Sequence, residues 1–127
     1  MRIAIPTNSP GGLESTVSDH FGECDKFTIV DLNPEESIIE DIKVSIIENK
    51  DHLNCGSLIL RLQKLKVDLI IINKIGKRPI QIIQEENIPI YASQGTVREV
   101  IHCFYQDHLQ AIKNSNICPG TNSCQIQ

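Results

Sequence analysis

Apolar residues along the chain change period near residue 53, and that change divides the sequence into two kinds of element. Before it, RIAIP (2–6) and KFTIVDL (26–32) read as strands, the first closed by Pro6. Ile42, Val44 and Ile46 alternate with polar residues in SIIEDIKVSIIE (37–48), the period of a strand with one buried face. After it, Leu58, Ile59, Leu62 and Leu65 mark one face of a helix of about 10–12 residues. VDLIIIN (67–73) is apolar without alternation, which predicts a central parallel strand covered on both sides. A second helix is expected to begin near Pro79, bury Ile80 and Ile83, and end at Asn87. IPIYA (88–92) makes a last strand, placed at an edge by Pro89. Thr96 and Glu99 in GTVRE form a capping box for a third helix striped by Val97, Val100, Ile101, Phe104 and His108.

The order is therefore β-β-β-α-β-α-β-α. Right-handed crossovers put helices on both faces of a five-stranded mixed sheet, an α/β three-layer arrangement with the element order of the ribonuclease H-like architecture. The pattern closes by residue 112. KNSNICPGTNSCQIQ (113–127) has little apolar patterning and is expected to be a flexible, cysteine-containing tail unless metal or a partner orders it. Its Cys118 and Cys124 are open to reading as added ligands, a redox pair or part of a disordered end.

The length of 127 residues suits one domain with a self-sufficient core. With no Trp and three Phe, that core must be mainly Ile, Leu and Val. A net charge of −4 argues against a nucleic-acid binder. The longest apolar run is far short of a membrane span, and MRIAIPTN reads as a strand and not as a signal peptide, so a cytoplasmic location is expected, with no membrane partner. Five cysteines (24, 55, 103, 118 and 124) are an odd number without scaffold spacing, so most are expected as reduced thiols.

Enzyme classes fit poorly. A ribonuclease H-type nuclease needs carboxylates converging on the sheet to hold two metal ions, and RIAIPTN supplies none. Neither a phosphate-binding Gly-Lys loop nor a nucleophile elbow is present. A Cys24–His20 nucleophile–base pair would lack an orienting group and an oxyanion hole.

Co-location offers a different chemistry. In open α/β sheets ligands gather outside the carboxyl ends of the strands. The loop 8–24 should bring His20 and Cys24 there, and NKDHLNCG (49–56) should bring His52 and Cys55; these four are the candidate metal ligands, since imidazole and thiolate are soft donors. The two loops after the later strands contribute Lys74, Gly76, Lys77 and Arg78, and Gly95 and Thr96. They lead into helix N-termini, which favour an anion such as a metal–sulfide cluster.

Met1–Pro6, Val17-Ser18-Asp19-His20-Phe21-Gly22, Phe27–Asp31, Ile75-Gly76 and Gly95-Thr96-Val97-Arg98-Glu99 together resemble the dinitrogenase iron–molybdenum cofactor biosynthesis family over roughly residues 1–112. That family includes NifX- and NafY-like carriers, the C-terminal domain of NifB and the molybdenum–copper orange protein. The resemblance implies a ribonuclease H-like fold that binds an iron–sulfur or molybdenum-containing cluster, or its precursor, without turnover. The cluster need not survive purification, and cluster donor and acceptor proteins are the implied partners. Lys74, Lys77, Arg78 and Pro79 replace the glycine-rich run frequent in that family, giving a more basic rim. The alternative is a protein–protein or small-anion binding module that uses the same face without metal.

Overall fold

The computed structural model describes residues 1–33, 35, 42–49 and 55–118, with the backbone alone at Cys55. Among the described residues it is a mixed α/β fold with three α-helices. Strands β1 (Arg2–Thr7), β2 (Lys26–Asp31) and β3 (Lys43–Glu48) precede helix α1 (Cys55–Lys64). Then follow β4 (Leu69–Ile72), β5 (Ile75–Gly76), α2 (Lys77–Glu85), β6 (Ile90–Ala92), α3 (Val97–Tyr105), β7 (Gln110–Ala111), a 3-10 turn (Asn114–Asn116) and β8 (Ile117–Cys118).

Among the described residues the main sheet has six strands, where five were expected, in the order β3-β2-β1-β4-β6-β7. Strand β1 pairs antiparallel with β2 and parallel with β4, and β4 pairs parallel with β6. The sixth strand corrects the expected edge: Tyr91 and Ala92 of β6 pair with Ala111 and Gln110 of β7. Pro89 lies just before β6, where its carbonyl accepts from the Ile70 amide at 3.0 Å, so its missing N–H breaks no ladder.

Alternation along β1 and β4 sorts the core onto two faces. Ala4, Ile70 and Ile72 join Leu58, Ile59 and Leu62 of α1 and Ile80 and Ile83 of α2. Ile3, Ile5, Leu69 and Ile71 join Val97, Val100 and Ile101 of α3. All four residues of β4 are buried, as expected of a strand covered on both sides. Strand β3 departs from its expected face: Ile46 is 45% exposed, because an edge strand has cover on neither side comparable to β4.

Residues 113–118, assigned to the tail by the sequence, continue the structure. Ile75 and Gly76 of β5 pair in parallel with Ile117 and Cys118 of β8, and Ile117 packs against the α1–α2 face of the core. The remainder of that segment lies outside the described residues.

Candidate metal–sulfur site

The carboxyl ends of the three parallel strands β1, β4 and β6 lie at one end of the sheet, and the long loop between β1 and β2 crosses them. Backbone hydrogen bonds fix its path. Ser18 N–H donates to the Pro6 carbonyl at 2.8 Å and Val17 N–H to Gly95 at 2.9 Å. Farther on, Phe21 N–H donates to the Lys74 carbonyl at 3.0 Å, while the Phe21 ring is buried edge-on against Phe27 with centroids 5.6 Å apart. Asn49, just after β3, closes the turn: its Nδ2 donates to the carbonyls of Gly22 at 3.2 Å and Cys24 at 3.0 Å. A loop that should wander is pinned at both neighbouring strands.

His20 sits between these pins, half-buried, with the Ser18 hydroxyl donating to its carbonyl at 3.2 Å. Its Nδ1 lies 3.4 Å from the Sγ of Cys118, a residue 98 positions away in sequence. Cys118 is buried, and in the β5–β8 ladder it pairs with Gly76, the N-cap of α2. No side-chain cap closes that helix start, and Lys77 and Arg78 in its first turn are exposed. His20, Cys118 and a basic, uncapped helix N-terminus thus converge.

The other expected residues fall elsewhere. Cys24 is 1% exposed within the α1–α2 core, where burial pushes its thiol up to about 12, with the Asn49 amide opposing more weakly. Such a thiol packs as a small apolar side chain and keeps its proton at neutral pH. His52 and the Cys55 side chain lie outside the described residues. Lys74 is exposed, and its carbonyl holds Phe21.

Gly95 and Thr96 precede α3, but the donors there are spent. The Thr96 amide donates to the Glu99 carboxylate at 2.9 Å, and the Glu99 amide to the Thr96 hydroxyl at 3.2 Å. The Val97 and Arg98 amides donate to the carbonyls of Ser15 and Leu13, each at 2.9 Å. The expected capping box is present, so the amides of Thr96, Val97, Arg98 and Glu99 are all engaged within the protein. Gly95 is needed for its backbone: at φ +104 an added Cβ would meet the Glu99 carboxylate at 2.8 Å.

Among the described residues, no group of three His, Cys, Asp or Glu side chains is placed to hold a metal ion. Sequence reasoning missed Asn49, and it offered Cys118 only as a tail cysteine able to add a ligand or join a redox pair, without placing it beside His20. Ile117, an apolar residue in an otherwise polar segment, was the one signal that this segment packs.

Cys24 carries a pH prediction. Below about pH 9 its thiol is neutral in both states. Between that value and its folded value of about 12, the unfolded chain releases the proton and the folded chain keeps it. Stability should therefore fall through this window by up to about 1.4 kcal/mol per pH unit. Urea unfolding of the parent and of Cys24→Ala from about pH 8 to 10.5 measures it, and the variant should lack this part of the slope.

A soft donor pair beside an anion-favouring helix start thus lies on a mixed α/β domain. The chain is a member of the dinitrogenase iron–molybdenum cofactor family, whose model matches residues 1–107. It is 26% identical over 111 residues to an uncharacterised Methanocaldococcus jannaschii protein, MJ0580, covering 87% of this chain and 90% of that one. The crystal structure of PH0822 superposes with a TM-score of 0.74 at 26% identity, over 91% of this chain and 99% of that one. The apo form of the Desulfovibrio gigas orange protein shares the fold, with a TM-score of 0.69 at 22% identity over 87% and 92% of the two chains.

Proposed function

We propose that this protein is a non-catalytic, cytoplasmic carrier of a metal–sulfur cluster or its precursor, built on a ribonuclease H-like core. Membership of the cofactor family supports the cargo class. The observation that carries the site is His20, held at the carboxyl end of the sheet on a loop pinned to β1, β4 and α3. A neutral imidazole is a good but exchangeable donor to iron, suited to a cargo that must leave again. The start of α2, with Lys77 and Arg78, would balance the negative charge of cluster sulfides. No helix among the described residues is long and apolar enough to cross a membrane, which accords with a carrier free to meet donor and acceptor proteins.

Turnover would need a nucleophile with a base and an orienting group. The Cys24–His20 pair weighed from the sequence does not form, because Cys24 is buried in the α1–α2 core with its thiol pushed up to about 12.

The test is anaerobic expression of the full chain followed by metal and acid-labile sulfide analysis. The parent should retain or accept cluster, and His20→Ala should lose at least tenfold in loading. Its melting temperature should barely move, since a half-exposed loop side chain contributes within about 0.5 kcal/mol. Equal loading by parent and variant would overturn the role of His20. A parent that takes up no cluster but retains an anion or a protein partner would favour the metal-free module.

A further inference from the structure

We infer that Cys118 and His20 form a two-donor metal site in which Cys118 is the anchoring thiolate. Their Sγ···Nδ1 separation of 3.4 Å matches the edge between two ligands of one tetrahedral ion. With a metal–sulfur bond of about 2.3 Å, a metal–nitrogen bond of about 2.05 Å and a tetrahedral angle, that edge is about 3.6 Å. A small shift of the side chains admits Zn²⁺, Fe²⁺ or Co²⁺.

Neither donor is placed by local sequence. Cys118 is fixed by the β5–β8 ladder, and the turn before it is held by Asn116, whose side-chain amide donates to the Asn73 carbonyl at 2.9 Å. His20 is fixed by the loop that Phe21 ties to Lys74. Both therefore hang from the short segment between β4 and α2, one from each side, so the pair exists before any metal arrives. On binding, the Cys118 thiol releases its proton to solvent and the sulfur takes the metal in its place.

No third His, Cys, Asp or Glu among the described residues joins them. Two tetrahedral positions are then left for ligands that the described residues do not supply. Sulfides of a cluster would fill them, next to the start of α2. The inference deepens the carrier reading and rests on it for that last step, but not for the metal pair itself.

The experiment uses Co²⁺ alone, titrated anaerobically into the metal-free full chain. The parent should develop thiolate-to-cobalt charge-transfer absorption together with the visible bands of a tetrahedral ion. Cys118→Ser should lose the charge-transfer absorption, while Cys24→Ala and Cys103→Ser keep it. His20→Ala should shift the visible bands and weaken Co²⁺ at least tenfold. Retention of the charge-transfer band in Cys118→Ser, or its absence in the parent, would overturn the inference. Independently of any variant's fold, Zn²⁺ should protect Cys118 of the parent from alkylation, read by peptide mass spectrometry, and unchanged labelling would also overturn it. A parent that binds Co²⁺ through Cys118 but loads no cluster would leave the pair standing and remove the carrier reading. Cluster loading unaffected by Cys118→Ser would do the reverse to the anchoring role.

Discussion

Asn49→Asp is expected to destabilise the fold by roughly 3–5 kcal/mol at neutral pH, although it exchanges one nitrogen for an oxygen. The side chain is 5% exposed, and its Nδ2 points at two carbonyl oxygens, those of Gly22 and Cys24. An aspartate offers no donor to either. It would set a buried negative charge against two acceptors in the turn that carries His20. The sign of the pH dependence identifies the cause. Burial and the facing carbonyls would raise the folded-state value of the new carboxyl, so the full penalty applies above that value and recedes as pH falls through it. Asn49→Ala loses the same hydrogen bonds without introducing a charge, and should cost about 2 kcal/mol with no such pH dependence. Denaturant midpoints of the three proteins between about pH 4 and 8 decide the matter. An Asn49→Asp protein as stable as the parent at neutral pH would mean that Asn49 does not hold the turn.

Asn49 also shows where sequence reading ran out. Whatever depended on neighbours along the chain was legible: the fully buried β4 from VDLIIIN, the Thr96–Glu99 capping box, the apolar faces of α1 and α2. Strand β7 was not legible, because Gln110 and Ala111 are both exposed and the pairing rests on backbone groups that every residue has. Strand β8 also pairs through backbone groups, with Ile117 as its one apolar signal, so the meeting of Cys118 and His20 was not legible either.

Cys24 was ambiguous for a different reason. A cysteine four residues after a histidine reads as a ligand, yet the side chain enters the core, and its direction is set by the turn that Asn49 closes. The N-terminus of α3 looked available to an anion until the carbonyls of Leu13 and Ser15, more than 80 residues earlier, were found on its amides. Availability of a donor is a non-local property. A sequence names the donors and leaves their partners to the fold.

Phe21→Ala should damage stability and site together, by about 3–5 kcal/mol and by most of the metal affinity. The ring is 1% exposed in the α1–α2 core and packs edge-on against Phe27. Its loss removes burial, leaves a cavity, and forfeits an aromatic contact worth about 0.5–1.5 kcal/mol. Phe21 also neighbours His20 in sequence and ties this loop to Lys74 through its amide. Without the ring, the stretch around His20 rests on the hydrogen bonds of Ser18, Phe21 and Asn49, each worth about 1 kcal/mol net, against the conformational entropy of several residues. The Nδ1–Sγ geometry should then relax. Phe21→Leu keeps an apolar side chain in the same place and should recover more than half of both losses. Urea unfolding measures the first loss, Co²⁺ titration the second. Alkylation of Cys24, which lies in the same core cluster, reports whether the loop has lifted: slow in the parent, fast in Phe21→Ala under conditions where the protein remains folded. Parent-like Co²⁺ affinity in a destabilised Phe21→Ala would show that the loop holds His20 in place without its aromatic anchor.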